Sequence, residues 1–470
     1  MVGKKRADEI EEDLLYGEME EKAVDHSLKN SVKDGVASSI ASGIGENFIS
    51  AYAISLGSSN IQLGLLSALP SLMPGELLTV KAMEKFRRKS LVTLGVLIQA
   101  LLWLPIALLS LLFINKLGYA PALLIIFYSV YVFMSYFISP AWSSWMKDLT
   151  EGKEIGGYFG KRNMITGIAG LIATIFAGFI LDYFKNRQIV FIGFGIIFLI
   201  ALISRFISRH YLKSQYEPKL VLKEGYYFSF WQFIKKAPYN NYGRFVIFFA
   251  CMNFATAISS PFFSAYMLKT LQFSYITFTM LQLVVPAIST LIMMPFWGKF
   301  TDKYGNVKTL QITALLVPFV PLLWIVSPTV SWIVFVQIFS GISWAGFNLA
   351  AGNFTYDAVT RPRMGLCVAY SGYIVSFGAF LGALFGGLLS SFSSIPMNIY
   401  LFVFVISGIA RLAFAVTLSN KMVEVRQRVD HLKLKIPLWK HTNMHSVRRI
   451  GEIIELPYSL FWHKNPNKRK

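Results

Sequence analysis

Residues 91–112 read LVTLGVLIQALLWLPIALLSLL, a stretch without a single charged side chain. A helix needs about 20 mostly apolar residues to cross the hydrocarbon core of a bilayer, so this segment predicts a transmembrane helix. Apolar blocks of the same kind recur along the chain, for example at Ile189–Ile203 and Met397–Leu418. The repetition of such blocks predicts a membrane protein built from many spanning helices.

The composition agrees with a lipid environment. Hydrophobic residues make up 54% of the chain and charged residues only 15%, whereas a soluble domain has roughly 25% charged residues. The net charge of +20 would suit a nucleic-acid partner. However, the positive charges lie in the short segments between the apolar blocks, which is the pattern of membrane topology. We therefore predict a lipid bilayer as the surroundings and no nucleic acid as a partner.

The apolar blocks predict an all-α membrane protein with twelve transmembrane helices. The first two spans are predicted at 36–57 and 60–82, and the last at 397–418. If the N-terminus is cytoplasmic, the outer loops hold four Lys and Arg and the inner loops hold twenty. Because inner loops are enriched in Lys and Arg, both termini are expected in the cytoplasm. The expected location is the cell (plasma) membrane, as a multi-pass protein.

Two similar segments indicate that the chain consists of two related six-helix, pseudo-symmetric halves. Phe48–Tyr52 reads FISAY and Phe262–Tyr266 reads FFSAY, 214 residues later, while Pro70 and Pro286 are 216 residues apart. Between the halves lies a linker whose aromatic run and two lysines predict an interfacial helix. The predicted organisation is a cytoplasmic tail at 1–34, a first half at 35–208, the linker at 209–243, a second half at 244–418 and a basic tail at 419–470.

The related helices carry matching polar stripes. Span one has polar residues at helical spacing, and the positions 214 residues later on span seven are polar too. The residues concerned are Ser39, Ser42, Glu46 and Ser50 on span one and Asn253, Thr256, Ser260 and Ser264 on span seven. In lipid such stripes must face protein or water, so we expect them to line a central cavity for a small-molecule substrate. Hydrogen bonding between neighbouring helices is the alternative.

Charged residues inside predicted spans need individual explanations. Glu46 lies near the middle of span one, where it is expected to bind a proton or a cationic group, with a structural acid as the alternative. Arg411 lies deep in span twelve and is expected to extend its side chain towards the inner surface. For Asp148, Arg162 and Asp357, at inner helix ends, structural salt bridges are expected.

Two sequence patterns relate to packing and to a known family. In span eleven, Gly378, Gly382 and Gly386 recur every four residues, which predicts a close helix contact. The stretch Gly298–Lys308, GKFTDKYGNVK, resembles the signature between spans eight and nine of major facilitator transporters. The matching positions are Gly298, Asp302, Lys303, Gly305 and Lys308. The corresponding stretch between spans two and three, Glu84–Lys89, keeps positive charge but not the signature.

The resemblance implies a secondary transporter with a gate and a central site. Asp302 would help to close the inner gate, with Arg361 and Arg363 as possible partners. Spans one, four, seven and ten line the substrate site in this family, which adds Trp142, Trp344 and Asn348 to the candidates. Gln337 and Ser340 share a helical face with the last two.

No enzyme motif is visible in the sequence. A phosphate-binding GxxxxGK[ST] run, a nucleophile elbow and a metal-ligand cluster are all missing, so no catalytic residue, metal or cofactor is predicted. The expected function is movement of a small solute by alternating access, by a monomer, with protons as a hypothetical coupling ion through Glu46. The alternative is a transport-inactive membrane sensor or scaffold of the same fold.

Overall fold

The computed structural model describes residues 2–425 except 73–74, 84, 113–117, 151–154, 219–227, 360–362 and 393–396. Every long regular element in these residues is an α-helix. Most of the predicted basic tail lies outside the described residues. The helices are α1 Val2–Ile44, α2 Ile49–Ser55, α3 Asn60–Leu72, α4 Gly75–Met83, α5 Arg88–Leu112, α6 Ala120–Leu149, α7 Ile155–Asn186, α8 Val190–Lys213, α9 Phe230–Lys236, α10 Asn241–Ala265, α11 Tyr275–Thr279, α12 Val285–Tyr304, α13 Asn306–Leu316, α14 Phe319–Leu323, α15 Val330–Ala358, α16 Met364–Leu389 and α17 Ile399–Leu418.

Ten helices within the described residues are long and apolar enough to cross a membrane, which makes the chain a multi-pass membrane protein. They correspond to the predicted spans three to twelve. Predicted span one, 36–57, is divided between α1 and α2, and predicted span two, 60–82, between α3 and α4. Helix α1 also runs through the tail boundary predicted at residue 34, where Asp34 is buried. The predicted interfacial helix of the linker corresponds in position to α9, which begins with a capping box formed by Ser229 and Gln232.

For description we divide the helices by chain order into the N-terminal group (α1–α8) and the C-terminal group (α10–α17). Within the first, α5 and α8 pack together and α1 contacts both α7 and α8. Within the second, α10 packs against α16 and α17, and α12 against α15. The two groups meet mainly where α3 contacts α16 and where α7 contacts α11.

Glycines allow two helices of the C-terminal group to come into close contact. The glycines of α16 that recur every four residues lie against backbone carbonyls of α10 that are also four residues apart. Gly378, Gly382 and Gly386 face the carbonyl oxygens of Ala250, Phe254 and Ile258. The close contact predicted from the glycine spacing is confirmed.

Replacing Gly382 by Ala is expected to lower the free energy of unfolding by about 1–3 kcal/mol, a usual cost of overpacking. The new Cβ would overlap the carbonyl oxygen of Phe254, so the backbones of α10 and α16 would have to separate. Gly167→Ala on α7 is the control, because nothing lies within 4 Å of its Cβ position. The measurement is thermal unfolding of both purified variants in detergent. Equal unfolding temperatures would contradict the prediction.

Candidate functional site

The two helix groups are joined at one end of the bundle. We call the end at which α1 and α10 begin the proximal end, and the opposite end the distal end. At the distal end, Ser55 and Tyr275 share a hydrogen bond of 2.7 Å between their hydroxyl groups. The Nζ of Lys269 donates to the carbonyl oxygen of Ser58 at 2.7 Å. Each bond joins the N-terminal group to the C-terminal group.

A carboxylate at the distal end of α7 holds the start of α11. The two oxygens of Asp182 accept from the backbone N–H groups of Tyr275 and Ile276 at 2.6 and 3.0 Å. The first N–H groups of a helix have no partner within the helix, and a negative charge there is favourable. Sequence inspection assigned no function to Asp182, because its partner helix follows it by more than 90 residues.

A second polar contact lies between α3 and the last two helices. Asn60 donates to the carbonyl oxygen of Ser390 at 3.1 Å and accepts from the hydroxyl of Tyr400 at 3.0 Å. On the same contact surface, a Cβ at Gly64 would stand 2.9 Å from the Cα of Gly387. We name these bonds together the distal seal; its members are Ser55, Ser58, Asn60, Asp182, Lys269, Tyr275, Ile276, Ser390 and Tyr400.

Predicted span one is interrupted next to its acidic residue. Helix α1 ends at Ile44, and Glu46–Phe48 form a 3-10 turn before α2 begins. A Cβ at Gly45 would stand 2.5 Å from the ring of Trp103, so only glycine allows the indole to approach this closely. Trp103 is fully buried and packs on the ring of Tyr131 at 5.0 Å between centroids.

The carboxyl group of Glu46 is held by two hydroxyl groups. Its Oε1 accepts from Ser42 at 2.6 Å and from Tyr131 at 2.7 Å. Ser42 lies one turn earlier on α1, whereas Tyr131 is a fully buried residue of α6. In the described residues, no hydrogen bond or ion pair is seen at Oε2. One oxygen of the carboxyl group therefore has two hydrogen-bond donors.

The charged residues at proximal helix ends form the expected structural contacts. Arg88, buried at the start of α5, lies 2.5 Å from Asp148 at the end of α6. The guanidinium of Arg162 lies 4.0 Å from the carboxylate of Asp34 and stacks over the ring of Trp142 at 4.7 Å. The salt bridges predicted for Asp148 and Arg162 are confirmed. Trp142, predicted as a cavity residue, is placed in this contact with α7.

Asp357 is the third residue for which a structural contact was predicted. It accepts from the side-chain amide of Asn306 at 2.6 Å. The turn that resembles the family signature is nearby. Gly305 ends α12 with a φ of +87°, a conformation that favours glycine. A Cβ there would overlap a carboxylate oxygen of Glu424, which accepts from the backbone N–H of Val307 at 2.8 Å.

The remaining residues of the signature differ in how far they are exposed. Nothing lies within 4 Å of a Cβ at Gly298, and the side chains of Asp302 and Lys303 are exposed. Lys308 is half-buried on α13. Arg361, predicted as a possible partner of Asp302, lies outside the described residues. The gate role of this turn stays a prediction.

A cavity of about 240 Å³ lies inside the C-terminal group. Residues from α10, α12, α14, α15 and α17 and from the turn before α12 line it. They are Thr256, Ser260, Phe263, Gln282, Pro286, Val320, Trp324, Gln337, Ser340, Trp344 and Arg411. Thr256 and Ser260 from the polar stripe of span seven and Trp344 from span ten are thus brought together. Gln337 and Ser340 of α15 join them.

An irregular helical turn forms part of one wall of the cavity. Met280–Val284 is a π-helical turn, and the side-chain amide of Gln337 donates to that of Gln282, in the middle of this turn, at 3.3 Å. Pro286 has no N–H to offer the carbonyl of Gln282, four residues earlier, so a regular α-helical bond is not available there. Such π turns are frequent at functional sites.

Arg411 lies against this cavity and not at the surface. Its side chain is 2% exposed. It donates to the hydroxyl of Ser259 at 2.8 Å, and more weakly to the carbonyl oxygens of Val317 and Thr256 at 3.4 and 3.5 Å. The expectation that Arg411 extends to the membrane surface is therefore wrong. The hydroxyl of Ser259, which is buried in the bundle, offers a closer partner than water does.

Other predicted site residues do not line this cavity. Ser39 lies against Gly170 of α7, a packing contact. Ser50 is half-buried on α2, and Ser264 is buried on α10. Asn253 donates to a carbonyl of its own helix at 2.8 Å, while Asn348 is exposed on α15. Their assignment to a substrate site stays a prediction.

Three aromatic residues are among those with a place in these sites that sequence reasoning missed. Tyr131 holds Glu46, and Phe263 and Trp324 line the cavity. Nothing in the local sequence distinguishes these aromatic residues from ordinary core residues. Arg411 did carry a signal, since it is a single charged residue in an otherwise apolar helix, and such residues are by default functional candidates.

Comparisons with known proteins agree on the family. A family model described as Major Facilitator Superfamily matches residues 35–281 and 245–449. No curated protein sequence matches the chain significantly.

Solved structures of similar fold include transporters of sugars and nucleosides. A D-xylose-proton symporter superimposes with a TM-score of 0.64 at 14% identity, covering 87% of this chain and 99% of that one. The nucleoside transporter NupG gives 0.60 at 15% identity, covering 84% and 98%. The xylose transporter XylE from E. coli, in an inward open conformation, gives 0.59 at 13% identity, covering 87% and 97%. With most of its length matched by the family model, the chain belongs to the Major Facilitator Superfamily.

Proposed function

We propose that this protein is a secondary transporter that moves a small solute across the membrane by alternating access. Twelve spans in two pseudo-symmetric halves of six would rock about a site near the middle of the bilayer. The observation that carries the proposal is the distal seal. It closes one end of the bundle by hydrogen bonds between the two helix groups, while the polar groups around Glu46 and in the cavity lie inside.

A closure that must open again can be held by hydrogen bonds, because they can be broken and re-formed. The bonds of the distal seal join polar side chains and backbone groups. The neutral ones typically contribute about 0.5–1.5 kcal/mol each, and those of the charged Asp182 and Lys269 about 1.5–3 kcal/mol. A conformational change can exchange them for bonds to water. The seal is therefore proposed as one of the two alternating closures, and the Gly305 turn with Asp302 as part of the other.

The proposed orientation and location rest on the distribution of positive charge. With Lys and Arg concentrated in the proximal loops, we propose that both termini are cytoplasmic. The distal seal then faces the outside, and this conformation is closed to the outside. The cell membrane is the proposed location and a monomer the proposed functional unit.

The test is uptake into proteoliposomes. Purified protein is reconstituted, and a panel of radiolabelled organic acids, nucleosides and sugars is offered under imposed gradients of pH and membrane potential. Accumulation of a solute above the level of empty liposomes supports the proposal. Binding of a panel member without uptake under any gradient would favour the transport-inactive sensor of the same fold.

We further propose that Glu46 carries the coupling proton. Its Oε1 is held by Ser42 and Tyr131, which leaves Oε2 for the proton. The break between α1 and α2 lies at this residue, so a change in its charge acts on the point where predicted span one is already interrupted. An ionised carboxylate in the membrane is costly unless water or a partner stabilises it, so its protonation is tied to the side from which water enters.

Replacing Glu46 by Gln is expected to reduce pH-driven uptake to the level of empty liposomes. Exchange of labelled for unlabelled solute should persist, because the amide can imitate the protonated acid in both conformations. Glu76→Gln on α4 is the matched control, since it removes a second acid of the predicted spans while leaving Glu46 intact. If Glu46→Gln kept pH-driven uptake and Glu76→Gln lost it, the coupling role would belong to Glu76.

A further inference from the structure

The environment of Arg411 does not neutralise its charge. A guanidinium group stays protonated in proteins and has five N–H donors. Three of them are directed at neutral oxygens, those of Ser259, Val317 and Thr256, and the last two contacts are long. No carboxylate pairs with Arg411 within the described part of the chain. A buried cation without an acid partner is unfavourable unless another group supplies the negative charge.

Another buried arginine, Arg88, differs from Arg411 because it has a carboxylate partner. Arg88 is equally buried, at 1% exposure, but lies 2.5 Å from Asp148. Arg411 instead lines the cavity. The other side chains that line the cavity are polar but uncharged or apolar, so none of them carries charge.

Three side chains that line the cavity have buried polar atoms without a hydrogen-bond partner in the protein. These atoms are Nε of Arg411, Nε1 of Trp324 and Oγ1 of Thr256. The first two can only donate, and the hydroxyl of Thr256 can donate as well. An occupant of the cavity that pairs with any of these donors must accept a hydrogen bond. An ammonium group cannot do this, whereas a carboxylate or phosphate group can.

We propose that this cavity is the binding site for a small organic anion, with Arg411 as the partner of its carboxylate or phosphate group. As a site for transported substrate, this rests on the transport function proposed above. Thr256 and Trp324 would donate further hydrogen bonds to the anionic group. The rings of Phe263 and Trp344 would contact an apolar or aromatic body, and a space of about 240 Å³ limits that body to a small molecule.

The first test compares probes that differ in charge but hardly in shape. Purified protein in detergent is titrated with benzoate, phenyl phosphate and lactate, and with the uncharged benzamide and lactamide, at constant ionic strength. Binding is measured by thermal stabilisation, because a ligand of the native state raises apparent stability by mass action. At least one anion is expected to stabilise the protein, while its uncharged counterpart does not. Benzoate and phenyl phosphate separate the carboxylate from the phosphate.

Variants then assign the binding to Arg411. Arg411→Gln is expected to weaken anion binding by about ten- to a hundredfold, the effect of losing hydrogen bonds to a charged group. Arg411→Lys, which keeps the charge, should retain part of the affinity. The control is Arg205→Gln, because Arg205 is also buried but donates to Ser38 and Gln99, outside the cavity. If Arg411→Gln does not fold, the comparison of charged with uncharged probes on the wild type still tests whether the cavity binds an anion.

The outcomes separate this inference from the transport proposal. No stabilisation by any of the three anions, or equal stabilisation by anions and amides, overturns the inference and leaves the cavity as a water-filled space. Anion binding that Arg411→Gln does not weaken overturns it too. Binding that behaves as expected, without uptake of the same anion into proteoliposomes, supports the anion site and contradicts transport. Uptake of a neutral or cationic solute without anion binding supports transport and contradicts the anion site.

Discussion

Replacing Arg88 by Met is expected to lower the free energy of unfolding by about 1.5–3 kcal/mol, the usual contribution of hydrogen bonds to a charged group, because Arg88 is buried while its partner Asp148 is 32% exposed. Arg88 is 1% exposed and donates to Asp148 at 2.5 Å and to Ser144 at 3.0 Å. It also donates to the carbonyl oxygen of Pro218 at 2.9 Å and lies 3.9 Å from Glu217. Met fills most of the space but leaves the carboxylates of Asp148 and Glu217 without this cation.

The adjacent residue provides the control. Arg87 lies 3.0 Å from Glu217, but its side chain is 75% exposed. Exposed ion pairs contribute about 0–1 kcal/mol, so Arg87→Met should change stability little. Chemical denaturation of both variants in detergent measures the difference.

The double variant Arg88→Met/Asp148→Leu separates the loss of the pair from the loss of packing. Removing both partners of a buried pair is often neutral, so the double variant should be more stable than Arg88→Met alone. If Arg88→Met and Arg87→Met are equally stable, the pair does not hold α5 to α6. If the double variant is no better than the single one, the cost of Arg88→Met comes from packing or from Glu217 instead.

Much of the fold was predictable because apolar length is a local property. Blocks such as residues 91–112 are long enough to cross a bilayer, and the ten spanning helices lie within α5–α8 and α10–α17. The interruption of predicted span one was not predictable. At the interruption Gly45 contacts Trp103, a residue of a different helix, and the sequence around Gly45 does not indicate this contact.

The candidate site was predictable in part, and for a physical reason. Polar residues are rare in membrane helices, so Glu46, Thr256 and Ser260 stand out against apolar neighbours. The sequence does not show in which direction such a side chain points. Arg411 was visible as a charge, but whether it reaches lipid headgroups or Ser259 depends on how α17 packs against α10.

The predicted gate motif illustrates the same limit. The glycine of the turn was identified, and Gly305 has the positive φ that explains it. In the segment that lost the signature, the buried Arg88 forms an ion pair with the partly exposed Asp148. A motif identifies where a turn must be tight, whereas the partner of a charge depends on helices far apart in sequence.

Linking the two sides of the distal seal is expected to reduce transport to the level of empty liposomes. Ser55 and Tyr275 belong to different helix groups, and their hydroxyl groups are 2.7 Å apart. Cysteines at these two positions would be joined by a short bifunctional methanethiosulfonate reagent, after replacement of the free native thiols Cys251 and Cys367 by Ala. If the distal end must open once in each cycle, a covalent link across it stops every cycle.

The controls separate blockage by the link from damage by the reagent. Each single-cysteine variant, treated in the same way, carries the same modification on one side only and should keep its transport. Reduction of the linked protein breaks the disulfides to the reagent and should restore uptake of the solute that the wild type accumulates. A linked protein that transports as fast as the reduced one would show that the distal seal stays closed throughout the cycle. The helices that open to admit the solute would then have to be sought elsewhere in the bundle.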